Sequence, residues 1–248
     1  MILFSFPLYA ENQPTQNTVQ MNIKSLDEAW MNREDLQGEN SILNFVQSNP
    51  PLPEDFEVCW RVSRLVYFIG NFGLGRKLTQ DEHLQVFELG FKAGAIAKKL
   101  EPKKVEGYYW YAINLGEYSL NKGLLTALTT ATEARDALLE AAKIDPHYHW
   151  AGPYRILGRY YQDLPSTISF GDKKIARKYF EKAIETAPNF RVNTEYLGIL
   201  EKDKETKSKL FEIAQQKADV DGKIEENLYK ENIAADLKAL GIKNKDLK

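Results

Sequence analysis

The stretch that decides the fold runs from Ala151 to Pro188, AGPYRILGRYYQDLPSTISFGDKKIARKYFEKAIETAP. In its second half Ala176, Phe180 and Ala183 share one face of a helix, with small residues on either side of a large one. Small residues let two helices approach, and the phenylalanine fills the space between them. Pro188 then stops the helix, because proline donates no backbone hydrogen bond and clashes with the preceding turn. In the first half Tyr154, Leu157, Gly158 and Tyr161 form the matching stripe. The whole reads as a helix, a turn and a second helix packed back on the first.

The same pattern occurs one unit earlier. Leu115, Gly116, Tyr118, Ala134, Ala141 and Pro146 each have a twin 42 positions later, at Leu157, Gly158, Tyr160, Ala176, Ala183 and Pro188. This is similar to the tetratricopeptide pattern of Leu-Gly and an aromatic in the first helix, then Ala, Phe, Ala and Pro in the second. A standard repeat is shorter, and the extra residues fall in DLPSTISF (163–170) and in GLLTALTTA (123–131). Pro165 predicts a loop in the former, whereas the latter has no proline and can be helical. The fold class expected is all-α: a superhelical stack of antiparallel helix pairs, about ten helices in all.

Working outward, the helix-closing prolines Pro50, Pro102, Pro146 and Pro188 are spaced by 52, 44 and 42 residues. Ser25 with Glu28 has capping-box spacing and predicts a helix start there. Further helices are expected at 39–47, 54–71, 79–100, 132–143, 191–201, 204–217 and 225–240. Residues 1–10 read as a signal-peptide remnant ending at Ala10, 11–20 as a linker, 21–240 as the helical-repeat domain and 241–248 as a frayed tail. Export follows from that reading; if residues 1–10 are no signal, the location is cytoplasmic.

Composition narrows the function classes. A net charge of -2 gives no reason to expect nucleic acid. The single cysteine, Cys59, allows no internal disulfide and reads as a buried thiol beside Trp60. No apolar run reaches the roughly 18 residues needed to span a bilayer. GNFGLG at 70–75 is followed by Arg76 where a phosphate loop needs lysine, and neither GxSxG nor HExxH occurs. His147 and His149 flank Pro146 beside Asp145 without a third strong ligand, so neither metal nor cofactor is expected. No catalytic constellation is found, and a binding protein is expected. The run Tyr108, Tyr109, Trp110, Tyr111, with Tyr118, reads either as core packing or as a ligand-lining surface.

Three segments, YWYAINLGEYSLNKG (109–123), GPYRILGRYYQDLP (152–165) and GDKKIARKYFEKAIETAPNF (171–190), resemble the T-component family of TRAP transporters. The resemblance implies a periplasmic helical-repeat protein that associates with a solute-binding protein, with a groove for an apolar ligand and a trimeric assembly. A microtubule-associated regulator family shares similar repeat motifs, but a secretory N-terminus does not fit it. The other reading is a generic cytoplasmic repeat scaffold.

In such a stack the first helices line the concave side. Residues displaced from the Leu-Gly stripe are then expected in a partner-binding groove: Trp110, Ile113, Glu117, Leu120 and Asn121, then Arg155, Arg159, Gln162 and Asp163, with Arg61 in the unit opened by Trp60. Arg155 and Arg159 are four apart and suit a carboxylate or an acidic partner segment. The alternative is that both are solvated, or pair with Asp163 and with Glu117 across the groove.

Overall fold

The computed structural model describes residues 23–33, 46, 51–72, 78–217, 231, 233–235 and 237–239. Every regular element among them is a helix. They are α1 (Ile23–Met31), α2 (Phe56–Phe72), α3 (Gln80–Leu100), α4 (Val105–Lys122), α5 (Leu124–Ile144), α6 (Tyr148–Asp163), α7 (Lys173–Thr186), α8 (Arg191–Leu200) and α9 (Lys204–Gln215). Consecutive helices pack on each other, as α2/α3, α4/α5, α6/α7 and α8/α9. First helices also touch across the stack, α2 on α4, α4 on α6 and α6 on α8. The expected stack of antiparallel pairs is therefore present.

The repeat is physical as well as textual. A methyl group on Gly158 of α6 would fall inside the ring of Phe180 on α7, and one on Gly70 of α2 would fall inside the ring of Phe87 on α3. A methyl on Gly198 of α8 would come within 2.8 Å of Phe211 on α9. These three pairs each seat an aromatic of the second helix on a bare glycine of the first. In α4/α5 the position 42 before Phe180 holds Leu138, which is fully buried. Close packing of this kind makes the inter-helix distance sensitive to one methyl group.

Local signals set the helix ends. Thr79 caps α3 with a complete capping box, its hydroxyl accepting from the Glu82 amide while the Glu82 carboxylate accepts from the Thr79 amide. The Asp172 carboxylate accepts the amides of Lys174 and Ile175 at the start of α7. Residues 164–172, with Pro165, form the expected loop. The stretch 123–131 is helical from Leu124 onward, so α5 begins well before the expected Thr132. Gly123, at φ 122°, makes the break between α4 and α5. Beyond it no glycine or proline occurs before Pro146, and the Thr129 and Thr130 hydroxyls donate back to the Thr126 carbonyl. Helix α1 already includes Ile23, which places Ser25 inside the helix and not at its cap.

The core runs the length of the stack. Cys59 is fully buried, its thiol donating to the Pro53 carbonyl, and burial pushes its pKa up to about 11. Asn114 of α4 donates to the Ser63 hydroxyl and carbonyl of α2 and to the Trp110 carbonyl, while Ser63 donates to the Gly90 carbonyl of α3. One polar knot thereby joins three helices. At the far end Ile233 and Leu237 are helical and buried against Phe211 and Ala214. Residues 1–20 and 241–248, and most of the helix expected at 39–47, lie outside the described residues; Val46 is helical and buried.

Candidate functional site: an aromatic cleft with an under-partnered arginine

The groove residues expected from the sequence do not form one surface. Trp110 and Ile113 are buried. Arg155 points inward, only 4% exposed. Leu120 is exposed, and Asn121 next to it accepts on its carbonyl from Gln80 while its amide donates to the Glu117 carbonyl. Glu117, Arg159 and Asp163 do come together. Arg159 pairs with Asp163 at 2.8 Å and lies 4.9 Å over the Tyr196 ring of α8. Burial pushes the Glu117 carboxyl up to about 7, and the charge of Arg159 opposes this only partly. The Gln162 side-chain carbonyl is buried without a hydrogen-bond partner.

Arg155 works instead on the backbone. His149, Trp150 and Ala151 have φ of 50°, 53° and 60°, three consecutive non-glycine residues in the left-handed region. Each costs roughly 1–2 kcal/mol in that conformation. The run sits just before Pro153, from which α6 continues in right-handed form. Several contacts hold it. Arg155 donates to the Trp150 carbonyl at 2.9 Å and to the His149 carbonyl and Nδ1 at 3.3 Å. Asn193 of α8 donates to the Trp150 carbonyl and ties Arg155 through its own Oδ1. Tyr109 bonds His149 at 2.9 Å, and the Trp150 ring stacks on Phe190 at 5.3 Å. A strained segment fixed by this many partners is characteristic of a functional site.

The segment forms one wall of a cleft of about 330 Å³ lined by Trp30, Arg64, Trp110, His147, Tyr148, His149 and Trp150. Three of the four tryptophans of the chain line it, and the fourth, Trp60, lies against Arg64. Trp110 donates to the Tyr148 hydroxyl at 2.7 Å, and Tyr109, Trp110, Tyr148 and His149 meet edge to face or tilted. The cluster packs: Tyr109, Trp110 and Tyr111 are all buried, and Trp110 lies beneath the surface of the cleft.

Charge in the cleft is unevenly shared. Arg61 takes Asp27 at 2.8 Å and Glu57 at 2.5 Å. Hydrogen bonds from Trp60 and Arg61, then from Lys104, hold the Glu57 carboxyl down at about 2. Arg64 is left with one long bond to Asp27 at 3.4 Å, and its buried Nε has no acceptor. Its guanidinium lies 4.2 Å over Trp30 and 4.7 Å over Trp60. Burial, with Arg61 and Arg33 nearby, pushes its pKa down to about 10, so it remains cationic at neutral pH. Arg64, Trp30, Tyr148 and Trp150 were not expected from the sequence. The available signal was Trp60 and Arg64, four apart on one helix face; the left-handed run that brings Trp150 in has no sequence signature.

A comparison with protein-family profiles matches residues 22–241 to the family described as Regulator of microtubule dynamics protein 1-3. The chain belongs to that family. A comparison with curated protein sequences finds no match. The family match overturns the resemblance to TRAP transporter T-components, and with it the periplasmic location and the solute-binding partner. The motifs behind that resemblance, GPYRILG, the following Leu-Pro and the Gly-Asp before α7, are packing and capping residues in the structure. Such residues report how helix pairs stack and say little about what they bind. The generic scaffold reading gains no support either, since the match is to one specific family across nearly the whole stack. The proposed signal remnant, residues 1–10, precedes the matched region and lies outside the described residues.

Proposed function

We propose that this protein acts on microtubule dynamics as a non-catalytic binding protein, and that the aromatic cleft between α1, α2, α4 and the left-handed segment receives its protein partner. The observation that carries this reading is the family match over residues 22–241, which contains every residue of the cleft. Two features support a binding role. The cleft offers π-faces and hydrogen-bond donors, groups suited to holding a partner. Its wall is a strained backbone run braced from α4 and α8, so the surface is rigid before a partner arrives, which lowers the cost of association.

Co-sedimentation of the purified protein with polymerised tubulin tests the proposal. Saturable association is expected, weakened by Trp150→Ala. Protein that stays in the supernatant at every microtubule concentration, with its helical circular dichroism intact, overturns it.

A further inference from the structure

We infer that the cleft recognises an acidic peptide segment, with one carboxylate bound by Arg64 and a neighbouring apolar side chain held among Trp30, Trp110 and Trp150. The inference rests on the binding role proposed above and names the chemistry of that site.

The argument begins with the accounting of donors. Asp27 and Glu57 are engaged by Arg61 at short distance, and Glu57 also accepts from Trp60 and Lys104. Arg64 is left with a single bond at 3.4 Å and a buried Nε that donates to nothing. The Nε is enclosed by protein, so a partner in the cleft meets the outer nitrogens of the guanidinium, which make only the long bond to Asp27. The Tyr148 hydroxyl, which accepts from Trp110, has its own proton still available as a donor next to this guanidinium. Two donors lining one cleft suit an oxyanion.

The surroundings favour a carboxylate over a phosphate. Trp30 and Trp60 lie against the guanidinium and leave its in-plane donors for a bidentate acceptor, a geometry that suits carboxylate and phosphate alike, so charge decides between them. Asp27 is already bonded to the same arginine. The field left over therefore suits one negative charge, and a dianion would remain partly uncompensated. The indole walls extend beyond the charge and offer an apolar contact to a neighbouring side chain. A peptide in which glutamates flank an apolar residue satisfies both requirements. The local charge supports this partner although the chain as a whole carries -2.

The test uses the tryptophans themselves, because all four lie in or against the cleft. An acetylated, amidated glutamate-rich peptide with a central leucine is titrated into the full chain while intrinsic fluorescence is followed. A saturable change is expected, weakened by added salt and absent with the glutamine counterpart of the peptide. Arg64→Gln should weaken binding about thirtyfold or more, the effect of removing one partner of a buried charge pair. Equal binding of the glutamine peptide, or undiminished binding by a folded Arg64→Gln protein, overturns the inference. So does inorganic phosphate competing as strongly as the peptide. If Arg64→Gln does not fold, Arg64→Lys keeps the charge without the planar fork, and the two peptides on the wild-type protein still decide. Microtubule association without peptide binding refutes the acidic-peptide inference alone; peptide binding without microtubule association refutes the proposed function alone.

Discussion

A double-mutant cycle at Gly158 and Phe180 reads out the packing that defines the repeat. Phe180 is fully buried, and its ring occupies the space where a Cβ on Gly158 would go. Phe180→Ala alone removes the ring and leaves a cavity between α6 and α7, a loss of about 3–5 kcal/mol. At about 2–4 °C per kcal/mol for a chain of this size, the melting temperature should fall by about 6–20 °C. Gly158→Ala alone forces a methyl into the ring, costing about 1–3 kcal/mol, against a helix-propensity gain of about 1 kcal/mol. In the Phe180→Ala background the clash is gone. The same methyl now fills part of the cavity and the propensity gain is uncovered, so Gly158→Ala should stabilise. The coupling should be about 2–3 kcal/mol, near the upper end for residues in contact. Thermal and urea unfolding of the four proteins measure it. Simple additivity of the two substitutions would refute the assignment of ring to glycine.

Two further outcomes are expected. Glu117 has its pKa raised by burial to about 7, above its unfolded value, so its neutral form favours the folded state. That contribution is complete below about pH 4 and is lost as pH rises through 7, amounting to about 3 kcal/mol. Glu117→Gln should therefore melt higher than wild type at pH 8 and alike at pH 4; a constant difference across that range would contradict it. Arg155→Met should cost about 3 kcal/mol or more, because the carbonyls of the left-handed run lose a charged donor. Its melting temperature should drop by about 6 °C or more, with a shift in tryptophan emission as Trp150 leaves Phe190.

The fold was legible because its signals are local. The capping box at Thr79 and the closing prolines act within a turn or two of themselves, and the 42-residue register repeats the same short helix-face pattern. The site was not legible for the opposite reason. Arg155 and Arg159 are one turn apart on α6, yet the former is consumed by the left-handed run and Asn193 while the latter pairs with Asp163. Only three-dimensional packing decides between those fates. Arg64 is conspicuous only once Arg61 is seen to hold both nearby carboxylates. Packing motifs also misdirected the family reading, since helix pairs with different partners use the same glycines and alanines to stack.

The account is tested most directly by the growth and shrinkage rates of single microtubules, recorded by fluorescence microscopy with purified protein at increasing concentration. The prediction is a saturable, dose-dependent change in those rates with wild-type protein that Arg64→Gln largely abolishes. Rates indistinguishable from tubulin alone at saturating wild-type protein would contradict it.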